Sequence, residues 1–435
     1  MTAIDRLPAL DGRLGWVEIL PDGQAPLGPV LDGHHRADIA IIGAGFAGVA
    51  LAHRLAELRP GARILLVDAL RVGQGASGRN AGFIIDLPHT VDAVAGDPDR
   101  DRALHALNSG AIGWLDAMRH RHGIDCGWER AGKYLAAHEP RHLPRLRSFA
   151  EGLLRADFDA EWLEGEALAR RLGTGFYRAA VFSRGNILVN PAALVRGLAR
   201  ALPSSVALFE ASPVTGIEPG SPHRLVTPRG RIEADIVVAA TGAWAKAFGA
   251  ERHVVPVFTY ASLTGPLRPD TLAGVRPWGL TSAHPAGATL RLTPDRRLFV
   301  RNTFRLEPGL QSGPAALARA VRQHRRAFDA RFPALAGLRF DHSWGGMIGV
   351  TRGHAPVLAE TLPGLFTLSG CNGVGVAKGV WLGQHLAEWI WGQPSAELAL
   401  VRDWARPRAL PPEVLTQAAA RLRLAFEVAL AGQDA

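Results

Sequence analysis

The chain has 435 residues, 47% of them hydrophobic, and a formal net charge of +9. This length exceeds one typical hydrophobic core, which predicts two domains. No apolar run reaches the ~18–20 residues needed to cross a bilayer, and the N-terminus lacks a charged region followed by an apolar one. We therefore expect a cytoplasmic protein without a signal peptide or an integral membrane segment.

The excess of positive charge does not indicate a nucleic-acid partner. The chain has only three lysines, and its arginines are spread along the whole sequence. No basic run alternates with aromatic residues in the way that nucleic-acid surfaces usually do. The two cysteines, Cys126 and Cys371, have neither metal-ligand spacing nor the pattern of a disulfide framework. We therefore expect no nucleic-acid partner and no metal site.

Residues 38–68 carry the most informative pattern in the chain. A short apolar strand leads into a G-x-G-x-x-G turn formed by Gly43, Gly45 and Gly48, followed by an apolar-faced helix, a second buried strand and an aspartate. Gly43 permits a tight turn, Gly45 lets the backbone approach a pyrophosphate, and Gly48 lets helix and strand pack closely. The helix N-terminus directs N–H groups at the phosphates, and Asp68 can accept a hydrogen bond from a ribose hydroxyl. The segment predicts dinucleotide binding.

Two later segments repeat the pattern of a buried strand that ends in a glycine turn. Residues 236–245 read IVVAATGAWA, and residues 365–375 read LFTLSGCNGVG before a helix. Such strands can join the same parallel sheet and bring backbone N–H groups close to a cofactor.

Hydrophobic periodicity and turn residues predict the other elements. After an irregular lead-in over 1–36, they are, in chain order, a strand over 38–42, a helix over 49–58, a strand over 64–67, a helix over 100–122, a strand over 134–137, a helix from 191 through 201, short strands near 206–210, 214–218, 224–227 and 235–239, a β-rich block over 253–305, a helix over 314–331, strands over 338–350 and from 365, a helix over 376–392, and an amphipathic helix over 413–430.

The β-rich block lies between two nucleotide-contacting segments, which predicts a discontinuous first domain. The fold class is α/β plus α+β: a Rossmann-type domain and a substrate domain with a mainly antiparallel sheet. We assign 36–90, 185–245 and 340–395 to the first domain, 125–185 and 250–340 to the second, and 396–435 to a C-terminal helical tail that packs on the body.

Five motifs in order give the chain a family resemblance. The Rossmann start is followed by GASGRNAG at 75–82, ATGAW at 240–244, HSWGG at 342–346 and GCNGVGVA at 370–377. Together they resemble the FAD-dependent amine and amino-acid oxidoreductases with the D-amino-acid oxidase (DAO) fold, nearest to the branch of gamma-glutamylputrescine oxidase and L-pipecolate oxidase. The resemblance covers about residues 15–395.

The resemblance implies non-covalent FAD and a set of residues that hold it. By position, Gly43, Ala44, Gly45, Phe46, Ala47 and Gly48 would hold the pyrophosphate, Asp68 the adenosine ribose, Arg71, Ser77, Gly78, Arg79 and Asn80 the pyrophosphate and the flavin edge, Gly242 the adenine side, and Gly370, Asn372, Gly373, Val374 and Gly375 the isoalloxazine.

Departures from the family pattern bear on the substrate. Amino-acid oxidases of this fold usually have an Arg after the W-x-G motif, which clamps the substrate carboxylate; here Ile348 stands at that position. Simple α-amino acids are therefore expected to be poor substrates unless Arg291, Arg301 or Arg352 supplies the clamp, and Arg291 is the first choice. Val374 and Ala377 replace a histidine and a lysine of the sarcosine oxidases.

Several side chains remain as candidates for the substrate cavity or the flavin's surroundings. The catalytic candidates are Arg291, Trp344, His354 and Tyr260, and His284 and His342 are further candidates for the cavity. Lys378 can lie beside the flavin or on an outward helix face. Cys371 lies in the turn expected near the flavin, where a small buried residue is the default.

The function that the resemblance implies is oxidation of a C–N bond in an amine or amino compound. Hydride transfer to flavin N5 gives an imine, which water hydrolyses to an aldehyde or ketone. The acceptor of the electrons is O2 or an electron carrier, because no second G-x-G-x-x-G unit for NAD(P) is present. Alternatives are an FAD monooxygenase, an oxidase of a cyclic or secondary amino acid, and a flavin-binding protein without enzymatic activity.

Overall fold

A computed structural model describes residues 2–23, 25–88, 97–250 and 252–435. The strands are, in chain order, β1 (Thr2–Ala3), β2 (Gly33–Ile42), β3 (Ile64–Val67), β4 (Phe83–Ile84), β5 (Lys133–Ala137), β6 (Glu161–Glu164), β7 (Ala179–Ser183), β8 (Ile187–Leu188), β9 (Val206–Phe209), β10 (Gly216–Glu218), β11 (His223–Val226), β12 (Gly230–Ala239), β13 (Val255–Thr264), β14 (Trp278–Ser282), β15 (Thr289–Leu292), β16 (Leu298–Leu306), β17 (Phe340–Val350), β18 (Val357–Leu362) and β19 (Leu365–Ser369).

The α-helices are α1 (Gly15–Glu18), α2 (Phe46–Leu58), α3 (Ala76–Arg79), α4 (Pro98–Arg121), α5 (Leu143–Arg155), α6 (Gly165–Leu172), α7 (Pro191–Arg200), α8 (Pro314–Arg331), α9 (Gly375–Ile390), α10 (Ala396–Trp404) and α11 (Glu413–Ala431). Short 3₁₀ helices lie at Pro140–His142, Gly242–Phe248, Pro333–Leu335, Arg352–His354 and Gly432–Asp434. The predicted domain boundary near residue 90 falls outside the described residues.

The first sheet belongs to the predicted dinucleotide-binding domain. Its order is β1-β10-β11-β12-β2-β3-β9, and β19 pairs with the second half of β12 and with β18. The pairs β12–β2, β2–β3, β3–β9 and β12–β19 are parallel. The carboxyl ends of β2, β3, β12 and β19 therefore meet at one edge of the sheet, where ligands of open α/β sheets bind.

Two helices cover this sheet at very close range. A Cβ on Gly383 of α9 would lie 2.4 Å from the Ala47 carbonyl oxygen of α2. Both helices bury apolar side chains against the sheet, among them Val49, Leu55 and Leu386. This packing fixes the start of α2 and the start of α9 at the same edge of the sheet.

Local sequence explains where two long helices begin. Asn190 caps α7, because its side-chain oxygen accepts hydrogen bonds from the N–H groups of Ala192 (3.0 Å) and Ala193 (3.1 Å). Pro191 follows at the first helical position, where its missing N–H costs nothing. Asp97 caps α4 in the same way through the Arg100 N–H.

The second sheet has the order β17-β13-β16-β15-β14-β5-β7-β6, and all its pairs are antiparallel except β14–β5. It contains the strands of the predicted β-rich block 253–305. The strand β17, which we predicted at the start of a dinucleotide-binding segment, pairs with β13 in this sheet. The reason is proximity, since β17 follows α8, which packs on β13 and β16. The predicted fold class, with parallel and antiparallel strands, is confirmed.

A polar pair lies inside the layer between α8 and the second sheet. His324 of α8 is fully buried, and its Nδ1 lies 2.8 Å from the Ser262 hydroxyl oxygen of β13. Burial lowers the pKa of His324 to about 3. The ring is therefore neutral in the folded protein at ordinary pH.

The C-terminal tail is held at its end. The buried carboxylate of Asp434 accepts hydrogen bonds from the N–H groups of His138 and Glu139, and Arg331 donates to the Asp434 carbonyl oxygen (3.0 Å). In α11 itself only Ala431 is buried, and polar contacts of Glu413 with Lys246 and of Glu427 with His284 also join the helix to the body. Among the described residues, no helix combines the length and apolar character needed to cross a bilayer.

Candidate functional site

A cavity of about 280 Å³ begins at the carboxyl edge of the first sheet and extends to the second sheet. Residues of the glycine turn after β2 line one end, and side chains of β13, β14, β15 and β16 line the other. Both predicted domains therefore contribute to one continuous site.

The glycine turn leaves no room for side chains toward its neighbours. Gly43 has φ +109°, and a Cβ there would lie 2.5 Å from the Ala240 carbonyl oxygen. A Cβ on Gly45 would lie 2.6 Å from the Ser77 hydroxyl oxygen, and a Cβ on Gly48 would lie 1.9 Å from the Gly43 carbonyl oxygen. The turn thus brings bare backbone to the cavity just where α2 begins, and the first-turn N–H groups of a helix lack partners within the helix.

Asp68 follows β3 and is tied to the same turn. Its carboxylate accepts hydrogen bonds from the N–H groups of Ala44 (2.7 Å) and Leu70 (2.8 Å). Burial raises its pKa to about 6, against the opposing effect of these two hydrogen bonds. The carboxylate lines the cavity, where it can accept a further hydrogen bond.

The segment after residue 75 joins the two halves of the site. Arg79 lines the cavity, and its guanidinium donates to the carbonyl oxygens of Gln74 (2.7 Å), Asp11 (3.0 Å) and Gly345 of β17 (2.7 Å). Burial lowers its pKa to about 10, so it stays protonated at neutral pH. Asn80 stabilises the following turn by accepting from the Gly82 N–H at 2.8 Å.

The turn between β19 and α9 forms a third wall. Asn372 has φ +52°, and its side chain accepts from the Thr351 N–H (2.8 Å) and donates to the Gly370 carbonyl oxygen (2.8 Å). These bonds hold the turn in shape while Cys371 lines the cavity. Lys378, in the first turn of α9, also lines the cavity, and burial lowers its pKa to about 8.

The predicted cofactor residues divide into those that line the cavity and those that shape its walls. The first group comprises Gly43, Ala44, Gly45, Phe46, Ala47, Asp68, Arg71, Ser77, Arg79, Asn80, Gly242, Gly373 and Gly375. The second group, which does not line it, comprises Gly48, Gly78, Gly370, Asn372 and Val374.

The four predicted catalytic candidates do not line the cavity. Tyr260 lies on the far face of the second sheet, under α8, where its hydroxyl contacts the Ser312 hydroxyl. Trp344 is fully buried and donates from Nε1 to the Arg79 carbonyl oxygen (3.1 Å). Tyr260 faces away from the cavity. Trp344 lies on the same face as the cavity-lining Gly346, but it is packed against Trp16 and Phe299 beside the cavity.

Arg291 and His354 also lie elsewhere than expected. Arg291 is on the cavity side of the sheet but fully buried, and its guanidinium donates to the carbonyl oxygens of Ala81 (3.1 Å) and Val189 (2.5 Å). Burial lowers its pKa to about 9. His354 is exposed, with φ +59°, in a turn at the surface. The further candidates His284 and His342 do not line the cavity either.

The structure brings a polar floor into the cavity that sequence reasoning largely missed. Thr259, Thr281, Thr289 and Arg301 come from four adjacent strands of the second sheet. Arg301 donates to the hydroxyl oxygens of Thr289 (2.9 Å) and Thr259 (3.4 Å). The available signal was an arginine that directly follows three apolar residues of a strand, LFV at 298–300. Residues 4 and 6–8, from the predicted irregular lead-in, also line the cavity.

Comparison with known proteins places these features in context. The model of the family DAO, described as FAD dependent oxidoreductase, matches residues 38–389. The chain is 28% identical over 396 residues to the probable oxidoreductase OrdL of Rhizobium meliloti (strain 1021), covering 88% of this chain and 90% of that protein. It is 25% identical over 369 residues to the gamma-glutamylputrescine oxidoreductase of Escherichia coli (strain K12), covering 82% and 84%. The crystal structure of glycine oxidase from Geobacillus kaustophilus superposes with a TM-score of 0.71 at 24% identity, covering 83% of this chain and 96% of that one.

Proposed function

The chain belongs to the DAO family of FAD-dependent oxidoreductases, and from this premise we propose that it oxidises a C–N bond in an amine or amino compound. The observation that carries the proposal is the continuity of the cavity, which joins the glycine turn to the polar floor of the second sheet. The names of two similar proteins support the substrate class, since gamma-glutamylputrescine and glycine are both amino compounds.

The residues at the first-sheet end of the cavity fit FAD. Gly45 lines the cavity without a side chain, so its backbone can approach a pyrophosphate, and a Cβ there would meet Ser77. Arg71 and Arg79 bring positive charge to the same cavity, which suits a dianionic group. We propose that these residues hold the pyrophosphate, that Asp68 binds the adenosine ribose, and that the turn at 370–375 and the start of α9 face the flavin.

FAD held by these residues would supply an electron sink for the hydride that leaves the carbon next to the amine nitrogen. The protein positions the substrate and keeps the reacting end of the cavity dry. Phe83, Ile85 and Ile348 line this part with apolar side chains, while Gly346 leaves space beside Arg79. The imine that results is hydrolysed by water to an aldehyde or ketone, and the electrons pass to O2 or an electron carrier.

The substrate amine must be neutral to lose a hydride. Among the described residues that line the cavity, Asp68 is the only carboxylate and no histidine occurs. Asp68 is held at the glycine turn by Ala44 and Leu70, at the opposite end from the polar floor. The amine proton is therefore lost to solvent or to Lys378, which lines the cavity and whose pKa burial lowers to about 8.

Anaerobic reduction of the flavin tests the proposal. The holoprotein is mixed without O2 with polyamines, cyclic imino acids, N-methyl amines and D-amino acids, and the flavin absorbance is followed. Alcohols of matched length, such as butanol for butylamine, are the control, because they lack the C–N bond. Bleaching by at least one amine and by no alcohol supports the proposal. A flavin that dithionite reduces but no amine in the panel reduces would argue against it.

The mode of FAD attachment is tested separately by acid precipitation. We propose non-covalent binding, which is expected to release the yellow chromophore into the supernatant. Colour that stays in the pellet would contradict this. Cys371→Ser would then show whether Cys371, which lines the cavity, is the attachment point.

A further inference from the structure

The polar floor of the cavity is a built cluster rather than a set of isolated side chains. Thr281, Thr289 and Arg301 are direct cross-strand neighbours, since Thr281 pairs with Thr289 and Thr289 pairs with Arg301. Thr259 lies on the strand at the other side of Arg301, and all four line the cavity. Their side chains therefore lie on one face of the sheet.

Hydrogen bonds hold the guanidinium of Arg301 in place. Nη2 donates to the Thr289 hydroxyl oxygen and Nη1 to the Thr259 hydroxyl oxygen. The Phe304 ring lies against the guanidinium, with its centroid 4.9 Å from Cζ. A guanidinium has five N–H groups, so within the described part of the chain these contacts leave donors unused, and Nε is buried without a partner. The side chain is preorganised with unused donors.

The charge of Arg301 has no counter-ion among the described residues that line the cavity. The only carboxylate there is that of Asp68, which is bound to the glycine turn of the first sheet. Burial alone lowers the pKa of Arg301, to about 10, so the side chain remains a cation at neutral pH. Arg301 is half-buried and lines the cavity, so its positive charge is partly shielded from bulk solvent and open to a ligand. A cation in such a position without an acidic partner is suited to bind an anion.

We propose that Arg301, with Thr259 and Thr289, binds a carboxylate of the substrate. The inference rests on the proposed function and narrows its substrate class to amino compounds that carry a carboxylate. Carboxylates match guanidinium groups in shape and charge, and threonine hydroxyls can donate to the same oxygens.

The position of Arg301 also determines where on the substrate the carboxylate lies. Ile348, at the position where the family's clamp usually lies, is on β17, and β13 separates β17 from β16. Arg301 is opposite Ala261 of β13, and Ile348 is opposite Val257 of the same strand. Their backbones are therefore two strand spacings (roughly 10 Å) and four residues (roughly 13 Å along the strand) apart. Threonines on both flanking strands hold the guanidinium over β16. We place the carboxylate several carbon atoms from the oxidised C–N bond, because Arg301 is distant from position 348, where the family's clamp holds a carboxylate next to that bond.

A binding experiment tests the site without turnover. Straight-chain carboxylates from acetate to hexanoate cannot donate an amine hydride, so their binding to the holoprotein can be followed by flavin absorbance, with sodium chloride at equal ionic strength as the blank. Arg301→Met is expected to weaken binding of the longer members roughly ten- to a hundredfold, and Arg301→Lys less. Arg305→Met is the matched control, because Arg305 is on the same strand and its side chain pairs with Glu307 instead.

Two results of this experiment would overturn the inference. One is an Arg301→Met protein that binds hexanoate as tightly as the unmodified protein, and the other is an unmodified protein that binds none of the carboxylates. If Arg301→Met does not accumulate as holoprotein, Arg301→Gln and Arg301→Lys decide the question by the same comparison.

A kinetic experiment tests the remote position and separates this inference from the proposed function. Unbranched amino acids with the amine at one end and the carboxylate at the other are compared with alkylamines of the same length, from glycine upward. The longer amino acids are expected to exceed their amines in kcat/KM, and Arg301→Met is expected to lower this ratio of amino acid to amine roughly tenfold or more. An unchanged preference in Arg301→Met refutes the carboxylate site alone. Absence of turnover with every amine refutes the proposed function. In that case the carboxylate binding experiment still tests whether Arg301 binds a carboxylate.

Discussion

The two ends of the cavity are built in different ways. At the first sheet, three turns follow the carboxyl ends of parallel strands, and each presents backbone along a continuous stretch of sequence, as at Gly43–Gly45. At the second sheet, Thr259, Thr289 and Arg301 come from three different antiparallel strands. Recognition of a ligand by backbone N–H groups requires glycines where the ligand approaches. Recognition by side chains requires that the fold bring particular polar groups together. The first end is therefore defined by the path of its backbone, and the second by the identity of a few side chains.

The largest effect is expected at the first end. Gly45→Val is expected to abolish FAD binding, because a Cβ at this position would lie 2.6 Å from the Ser77 hydroxyl oxygen, which itself accepts from the Phe46 N–H. The measurement is the ratio of flavin to protein absorbance after purification. Gly61→Val is the control, since no atom lies within 4 Å of a Cβ there. Stoichiometric flavin in Gly45→Val would show that backbone approach at this turn is not needed.

A gain of activity is expected at the second end. Ile348 lines the cavity, and its Cδ1 would lie 4.0 Å from a Cβ on Gly373 in the turn proposed to face the flavin. Ile348→Arg is expected to raise kcat/KM for glycine and D-alanine about tenfold or more, because a charge-assisted hydrogen bond to a carboxylate is worth ~1.5–3 kcal/mol. Ile348→Met is the control of similar length without charge. Equal activity of the two variants toward glycine would show that position 348 is not where a carboxylate clamp acts. Robust turnover of glycine by the unmodified protein would contradict the expectation that simple α-amino acids are poor substrates.

A smaller effect is expected in the pH dependence of stability, from a histidine packed against the second sheet. His324, under the second sheet, has a folded-state pKa of about 3, whereas an exposed histidine titrates near ~6.5. Between these values the unfolded chain binds the additional proton, so the free energy of unfolding falls as pH falls, by about 1.4 kcal/mol per pH unit. Above about pH 6.5 the full stability is present.

The unfolding temperature is measured between about pH 7.5 and 5, because this window spans the pKa of an unfolded histidine. The unfolding temperature of His324→Gln is expected to decrease less with falling pH than that of the unmodified protein. His120→Gln is the control, because the His120 side chain is 67% exposed. Parallel pH curves for the unmodified protein and His324→Gln would contradict a neutral buried ring.

The candidates for the substrate end show why strand patterns do not identify cavity residues. Tyr260 and Thr259 are adjacent on β13 and face opposite sides, yet both sides of the sheet are covered. The alternation of β13 is therefore mostly apolar on both faces. Nothing in such a strand tells which side meets a helix and which meets a cavity.

Arg291 and Arg301 of the second sheet show even more clearly that a strand pattern does not identify cavity residues. Arg291 pairs with Phe299 and Arg301 with Thr289, so the two arginines lie on the same face, on neighbouring strands. Arg291 was the first choice as an anion anchor, but the carbonyl oxygens of Ala81 and Val189 accept its hydrogen bonds. These carbonyls come from segments distant in sequence, and no pattern within β15 or β16 reveals them.

The sequence by itself determined the dinucleotide-binding turn, the family and the fold class. The reason is that Gly43, Gly45 and Gly48 satisfy a backbone requirement within one short segment. Contacts around them come partly from elsewhere in the chain, since a Cβ on Gly43 would meet Ala240 and a Cβ on Gly45 would meet Ser77. Only the tertiary structure decided that β17 joins the second sheet, that Arg301 rather than Arg291 faces the cavity, and that the N-terminal residues reach the site. These outcomes depend on which distant carbonyls, helices and strands occupy the space around a side chain, and that is a property of the packed molecule.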